Sequence, residues 1–274
     1  MGIFDRLKNV FRGGRGKGSH LDRLRYAQQM ANQGNIPLAK EALTEILEKQ
    51  PDCLEALVIM GNILGKSMEF DGAVSAYKKA LELSENRWDI YGHLACIYHE
   101  MGNVEEAVKT YNRAIELNPK YGLGYMNLGT LYFNEGNFDG AIVNYKKALE
   151  LLPKEPLIYS NLGKLYVGQG LFDAAISEFQ KALKLDENDP VTFCEMGTAY
   201  YYKGDVVEAI MKLKHAISIG SEYPDPHYLL GLIYENQNNP REASRFYLKY
   251  LKLEPQGMFA GTATTALKKM GRSK

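Results

Sequence analysis

Nothing constrains this chain's fold more than its register. Gly61, Gly129, Gly163, Gly197 and Gly231 are separated by multiples of 34 residues, and Ala27 and Ala95 fill the two remaining places. Twelve positions further on, a second series is alanine without exception: Ala39, Ala73, Ala107, Ala141, Ala175, Ala209 and Ala243. Large side chains recur in phase at Leu64, Tyr98, Tyr132, Tyr166, Tyr200 and Tyr234, and again at Tyr77, Tyr111, Tyr145, Phe179 and Tyr247. Seven uninterrupted periods cover 20–257, or 238 of the 274 residues. A period of this length signals stacked supersecondary units rather than one globular core.

Each period reads as two antiparallel helices. In 122–155, Tyr125, Leu128 and Tyr132 share one helical face, Gly136-Asn137 punctuates, and Phe138, Ile142, Tyr145 and Leu149 renew the helical period before Pro153. The Gly/Ala series marks close approach between the two helices, with the second alanine series answering from the partner. One hairpin cannot bury its apolar face alone, so stability comes from stacked neighbours.

The pattern resembles the tetratricopeptide repeat, whose aromatic/Leu-Gly/Tyr/Ala/Phe/Pro signature spans 34 residues. That resemblance implies an all-α, right-handed α-solenoid of seven hairpins, with first helices lining a concave groove that binds other proteins. The departures lie at the ends. Met30 and Leu43 replace the aromatic pair of the first repeat, while the seventh has Pro240 opening its second helix and Tyr250 where a small residue is usual. Residues 258–270 then read as a capping helix, with a basic tail running to 274.

If first helices line the groove, its wall includes Asn62, His93, Cys96, His99, Met126, Asn127, Thr130, Phe133, Ser160, Asn161, Lys164, Cys194, Thr198, Tyr201, Tyr202 and Tyr228. Asn127 and Asn161, one period apart, resemble the asparagine ladder with which members of this family hold an extended backbone, since a carboxamide both donates and accepts. Ile59, Glu195 and Leu229 take the equivalent places elsewhere, so the ladder has two rungs, and tolerated surface asparagines are the competing reading. Lys164 is the single cation in this set, too few for the clamp that reads a C-terminal carboxylate. Tyr201, Tyr202, Tyr228 and Phe133 favour apolar anchors on an extended or helical peptide, unless the tyrosines pack between repeats.

Other chemistry finds little support. His93, Cys96 and His99 rotate around their helix and cannot converge on one ion unaided, so no metal is expected. Cys53, Cys96 and Cys194 form no Cys-x-x-Cys pair and are read as reduced thiols. Lys17 is followed by Gly18, which excludes a P-loop at 12–19. No nucleophile, base and orienter cluster together, so no enzyme and no cofactor are expected.

The formal net charge of zero conceals a partition. Residues 1–19 carry five basic side chains and one acid, residues 256–274 carry four basic side chains and no acid, and 20–255 carry 24 basic against 32 acidic. An acidic body disfavours nucleic acid as a partner. The first twelve residues are basic and amphipathic, with Ile3, Phe4, Leu7, Val10 and Phe11 opposite Arg6, Lys8, Asn9 and Arg12. They read as an interfacial helix contacting an anionic membrane, tied by the Gly-rich linker 13–19. This segment is similar to the N-terminal lipid-sensing helix of bacterial phage-shock and vesicle-inducing proteins; docking on a partner or in the protein's own groove competes. With neither an uninterrupted apolar leader nor a membrane-spanning run, the chain is placed in the cytoplasm, peripheral at most. The expected function is a non-enzymatic scaffold or adaptor binding a partner's peptide segment. The alternative is a homo-oligomerising assembly protein whose N-terminal segment docks on a neighbouring body.

Overall fold

A computed structural model describes residues 20–272, and the expected amphipathic helix 1–12, the linker 13–19 and residues 273–274 lie outside them. The described residues form fifteen helices. First helices are α1 (His20–Asn32), α3 (Leu54–Lys66), α5 (Trp88–Glu100), α7 (Gly122–Asn134), α9 (Pro156–Gly168), α11 (Pro190–Lys203) and α13 (Asp225–Asn236). Second helices are α2 (Ile36–Lys49), α4 (Phe70–Leu83), α6 (Val104–Leu117), α8 (Phe138–Leu151), α10 (Phe172–Leu185), α12 (Val206–Ile219) and α14 (Pro240–Leu253); α15 (Ala260–Arg272) follows. Every second helix is 14 residues long, and each begins 34 residues after the last. The fold class is the all-α solenoid that the register implies. Among the described residues no helix is long and apolar enough to cross a membrane.

The chain divides into two compact units, which part between Leu131 and Tyr132, within α7. Both follow one packing rule. The glycine of a first helix lies beneath the ring sixteen residues later: a Cβ built on Gly61 would meet Tyr77 at 2.6 Å, on Gly163 Phe179 at 2.5 Å, and on Gly231 Tyr247 at 2.6 Å. Close approach is therefore ring against helix backbone, a finer picture than two small residues facing each other. The alanines from Ala39 to Ala243 are all fully buried, as is a further series from Ala80 to Ala216 at the same spacing.

Helix starts and turns repeat as strictly. Asn35, Asn103, Asn137, Asp205 and Asn239 each accept a backbone N–H at the third residue of the following helix, filling the N-cap role. Glu69 and Leu171 occupy the same place without capping, and Glu69 instead pairs with Lys40. The turn residue just before is left-handed throughout: Gly34, Gly102, Gly136, Gly170 and Gly204 have φ from 72° to 93°. Met68 at φ 60° and Asn238 at φ 55° are the exceptions in residue type. Asparagine tolerates this region, whereas methionine enters it at a cost of about 1–2 kcal/mol. Replacing Met68, 75% exposed, by glycine is expected to stabilise the first unit by about 0.5–1 kcal/mol, the relieved strain outweighing the extra freedom of the unfolded chain. A thermal melt that is unchanged or lowered contradicts this.

In the second unit α15 lies against the seventh hairpin. Ala263 and Ala266 are buried together with Tyr228, Tyr247 and Tyr250. Phe259 stacks on Tyr228 with centroids 4.2 Å apart and planes 9° from parallel. Tyr250, where five of the preceding second helices carry buried alanine, is itself fully buried, and its hydroxyl accepts the Phe259 N–H at 3.1 Å. Elsewhere that alanine lets another hairpin approach; here the phenol fills the space that α15 leaves. Pro240 stands at the first turn of α14, where its missing N–H costs no helical bond.

Candidate functional site

The first helices present columns of side chains at 34-residue spacing, and the structure sorts them by depth. One column comprises Asn62, Cys96, Thr130, Lys164 and Thr198, and a second comprises Ile59, His93, Asn127, Asn161 and Glu195. Apart from His93, which is exposed, all are half-buried. Three residues separate the columns along each helix, so both lie on one face.

A third column is buried. Met126, Ser160, Cys194 and Tyr228 are between 3% and 8% exposed, which corrects the expectation that Met126 and Tyr228 line a groove. Each stands one position before the second column's place in its helix, a rotation of about 100° that carries the side chain into the stack. Ser160 bonds Thr192 at 2.7 Å in the interior, and Thr192 in turn donates to Asp189, the cap of α11. Tyr228 sits among Tyr247, Tyr250 and Phe259.

Two face residues are held from beneath. The Tyr77 hydroxyl donates to Asn62 Oδ1 at 2.7 Å, and the Tyr111 hydroxyl to Cys96 Sγ at 3.1 Å, each from fifteen residues further on. A second link joins neighbouring repeats at a separation of 31: Asn127 Nδ2 donates to Cys96 Sγ at 3.7 Å, and Lys164 Nζ lies 3.6 Å from Glu195. Burial raises the Glu195 pKa, and the Lys164 ammonium opposes that shift. Burial also raises the Cys96 pKa, and the hydrogen bond from Tyr111 opposes that shift. Thr130 and Thr198 donate to the carbonyls of Met126 and Cys194, one turn back on their own helices.

His93 stacks on Tyr77 with centroids 6.0 Å apart. Surrounding protein lowers its pKa, and Asp89 partly restores it. With Cys96 engaged by Tyr111 and His93 on Tyr77, the His93-Cys96-His99 trio is spread over separate contacts. Among the described residues no group of three or more His, Cys, Asp or Glu is placed to hold a metal ion.

In the second unit the aromatic residues gather near the ends of first helices. Tyr201 and Tyr202 lie 5.6 Å apart, and Tyr202, 60% exposed, stacks on Phe172. Asn236 donates to the Tyr201 hydroxyl at 2.6 Å, tying two repeats together. Phe133 packs on Phe138 at 5.9 Å.

In the first unit a cleft of about 400 Å³ opens on this face, lined by residues of α1, α3 and α5 together with Ile36 and Tyr77. Besides Asn62, His93, Cys96 and Ile59 it includes Gln28, Asn32 and Lys66, which sequence reasoning did not single out. A usable signal existed: Gln28 precedes Asn62, and Asn32 precedes Lys66, by one full period.

Among the described residues, one buried side chain has no partner. Neither ring nitrogen of His227, 5% exposed, has a hydrogen-bond partner. Burial lowers its pKa and Lys249 adds to the effect, while the Ser221 backbone and Glu222 oppose it; Phe246 packs at 6.1 Å. The folded state thus binds this proton more weakly than the unfolded chain does. The stability His227 confers is present above its unfolded pKa of about 6.5 and declines as pH falls through that value toward the lower folded one. Between pH 7 and pH 5 the second unit's melting temperature is expected to fall less steeply in His227→Phe than in the parent. Parallel slopes contradict this.

Comparison with known proteins agrees with the packing. Family scans match a TPR repeat at 95–136, 129–170, 165–204 and 197–238, and further tetratricopeptide repeats at 31–87, 76–109 and 224–256. A search of curated proteins gives no match. Among solved structures, the chain is similar to a tetratricopeptide repeat protein from Parabacteroides merdae, with a TM-score of 0.75, 20% identity, and 92% of this chain and 98% of that one covered. It is also similar to the Cut9–Hcn1 hetero-tetramer of the APC/C, with a TM-score of 0.71, 18% identity and 92% of this chain covered, though it spans only 52% of that one. A third is YrrB, described as a TPR protein with an unusual peptide-binding site, with a TM-score of 0.54, 22% identity, and 72% of this chain and 97% of that one covered.

Proposed function

This chain belongs to the tetratricopeptide repeat family, and from that premise we propose that it is a non-enzymatic adaptor whose first-helix face takes a peptide segment of a partner protein. The supporting observation is the pair of tyrosine hydroxyls that fix Asn62 and Cys96 from below. Side chains held in place lose less freedom on binding, so more of the contact energy becomes affinity. Asn127 and Thr130 in the first unit, and Phe133, Asn161, Lys164, Thr198, Tyr201 and Tyr202 in the second, are the further contacts of this reading. YrrB, with its peptide-binding site, offers a precedent on a similar fold.

Site-specific photocrosslinking tests this. A photoreactive residue at Asn161 is expected to capture a recurrent partner, whereas one at Val143, 67% exposed on the second helix α8, captures none. Equal capture at both positions overturns the assignment of the face.

The basic stripe of residues 1–12 supports recruitment to an anionic membrane from the cytoplasmic side. Anionic vesicles are expected to pellet the full chain and not a chain lacking 1–12; equal pelleting removes this half of the reading. The partition between basic ends and acidic body also favours a second reading, head-to-tail self-association. Its mark is assembly that light scattering finds weakening as salt rises.

A further inference from the structure

The cleft of the first unit is biased toward hydrogen-bond donors. Gln28 Nε2 donates to Asn32 Oδ1 at 3.0 Å, and the Tyr77 hydroxyl donates to Asn62 Oδ1 at 2.7 Å. Each asparagine oxygen thus already accepts one bond within the protein and each amide Nδ2 remains a donor, against the acceptor Oε1 of Gln28. Lys66 adds an ammonium that makes no ion pair among the described residues, and none of the lining residues is a carboxylate. This occurs in a stretch, 20–131, that carries 15 Asp and Glu against 11 Lys and Arg. Between the donors lie Ile36, Ile59, Ile63 and Ile97. The absence of a side chain on Gly65 keeps this apolar floor open, because a Cβ there would stand 2.6 Å from the Ile97 side chain.

Donors around an aliphatic floor, within an otherwise acidic unit, select a ligand that is apolar at one point and anionic beside it. We propose that the cleft formed by α1, α3 and α5 is the anchor site for an internal, extended segment of a partner protein, seating an aliphatic or aromatic side chain on the isoleucines with an adjacent Asp or Glu side chain at Lys66 and Asn62. A chain-terminal carboxylate fits less well, since one ammonium among neutral amides lacks the converging cations such a group needs. The proposal rests on the peptide-binding reading above and names the chemistry of its partner.

Selection of a phage-displayed random 10-residue peptide library on the full chain tests it. Enriched sequences are expected to place Leu, Ile, Val, Met or Phe within two residues of Asp or Glu. Synthetic copies, capped at both ends, are expected to bind at least tenfold more weakly to Lys66→Glu, an exposed change that leaves the circular dichroism and melt intact, and to weaken likewise with Asn62→Leu. Basic sequences among those enriched, or binding indifferent to both substitutions, overturn the assignment of this cleft and leave the scaffold reading standing. No enrichment at all overturns both.

Discussion

Replacing Phe179 with alanine is expected to destabilise the second unit by about 3–5 kcal/mol, the usual cost of removing a fully buried aromatic side chain. The ring is 0% exposed and lies on Gly163, so its loss opens a void between helix backbone and helix. The surroundings cannot close that void, because the facing residue has no side chain to move. Chemical denaturation monitored by circular dichroism measures the loss, and a shift below about 1 kcal/mol would show that the glycine–ring contact does not hold the hairpin together. The converse change makes the same point. Gly163→Val drives a side chain into the ring, and overpacking of this kind costs about 1–3 kcal/mol. The sixth repeat already uses a smaller pairing, Gly197 with Leu213. Phe179→Leu is therefore expected to recover much of what Phe179→Ala loses, which a general decrease in burial would not predict.

The second large effect is expected on removing residues 258–274. Tyr228 and Tyr250, now 8% and 0% exposed, would face water on the side where Phe259, Ala263 and Ala266 pack. Exposing two large side chains costs about 3–6 kcal/mol. Because repeat stacks lose stability unit by unit, the loss should concentrate in α13 and α14. Hydrogen exchange of backbone amides reads this directly: protection in α13 and α14 collapses while that of α9 and α10 persists. Unchanged protection in α13 would mean that α15 does not cover the hairpin energetically.

These two effects also separate what the sequence made legible from what it did not. Helix positions could be read because the Gly and Ala columns are determined by packing at short range, within one hairpin, and recur seven times. The fate of Tyr228 could not. Its burial depends on Phe259, an element outside the 34-residue period, and a tyrosine on a first helix has the same composition whether it faces solvent or a neighbour. Met126 was misjudged by a single position, since one step along a helix is enough to turn a side chain from face to stack. The hydroxyls of Tyr77 and Tyr111 were hidden for a different reason. As members of an aromatic column they read as apolar filling, and only the structure shows the phenol passing beneath the first helix to emerge at Asn62 and Cys96. Lys66 and Asn32 escaped notice because donor bias is a property of which oxygens are already engaged, and that cannot be seen in residue types alone.

The links at separations of fifteen and thirty-one have a consequence for how this surface can change. Asn62 and Cys96 each answer to a tyrosine below, and Cys96 and Lys164 to a neighbour beside them, while the glycine and alanine columns that hold the hairpins lie elsewhere on the helices. The face is thus addressable rung by rung: a substitution such as Asn62 to another side chain alters what is read at one place and leaves the scaffold's own register untouched. A chain built this way can drift in what it recognises without renegotiating how it folds.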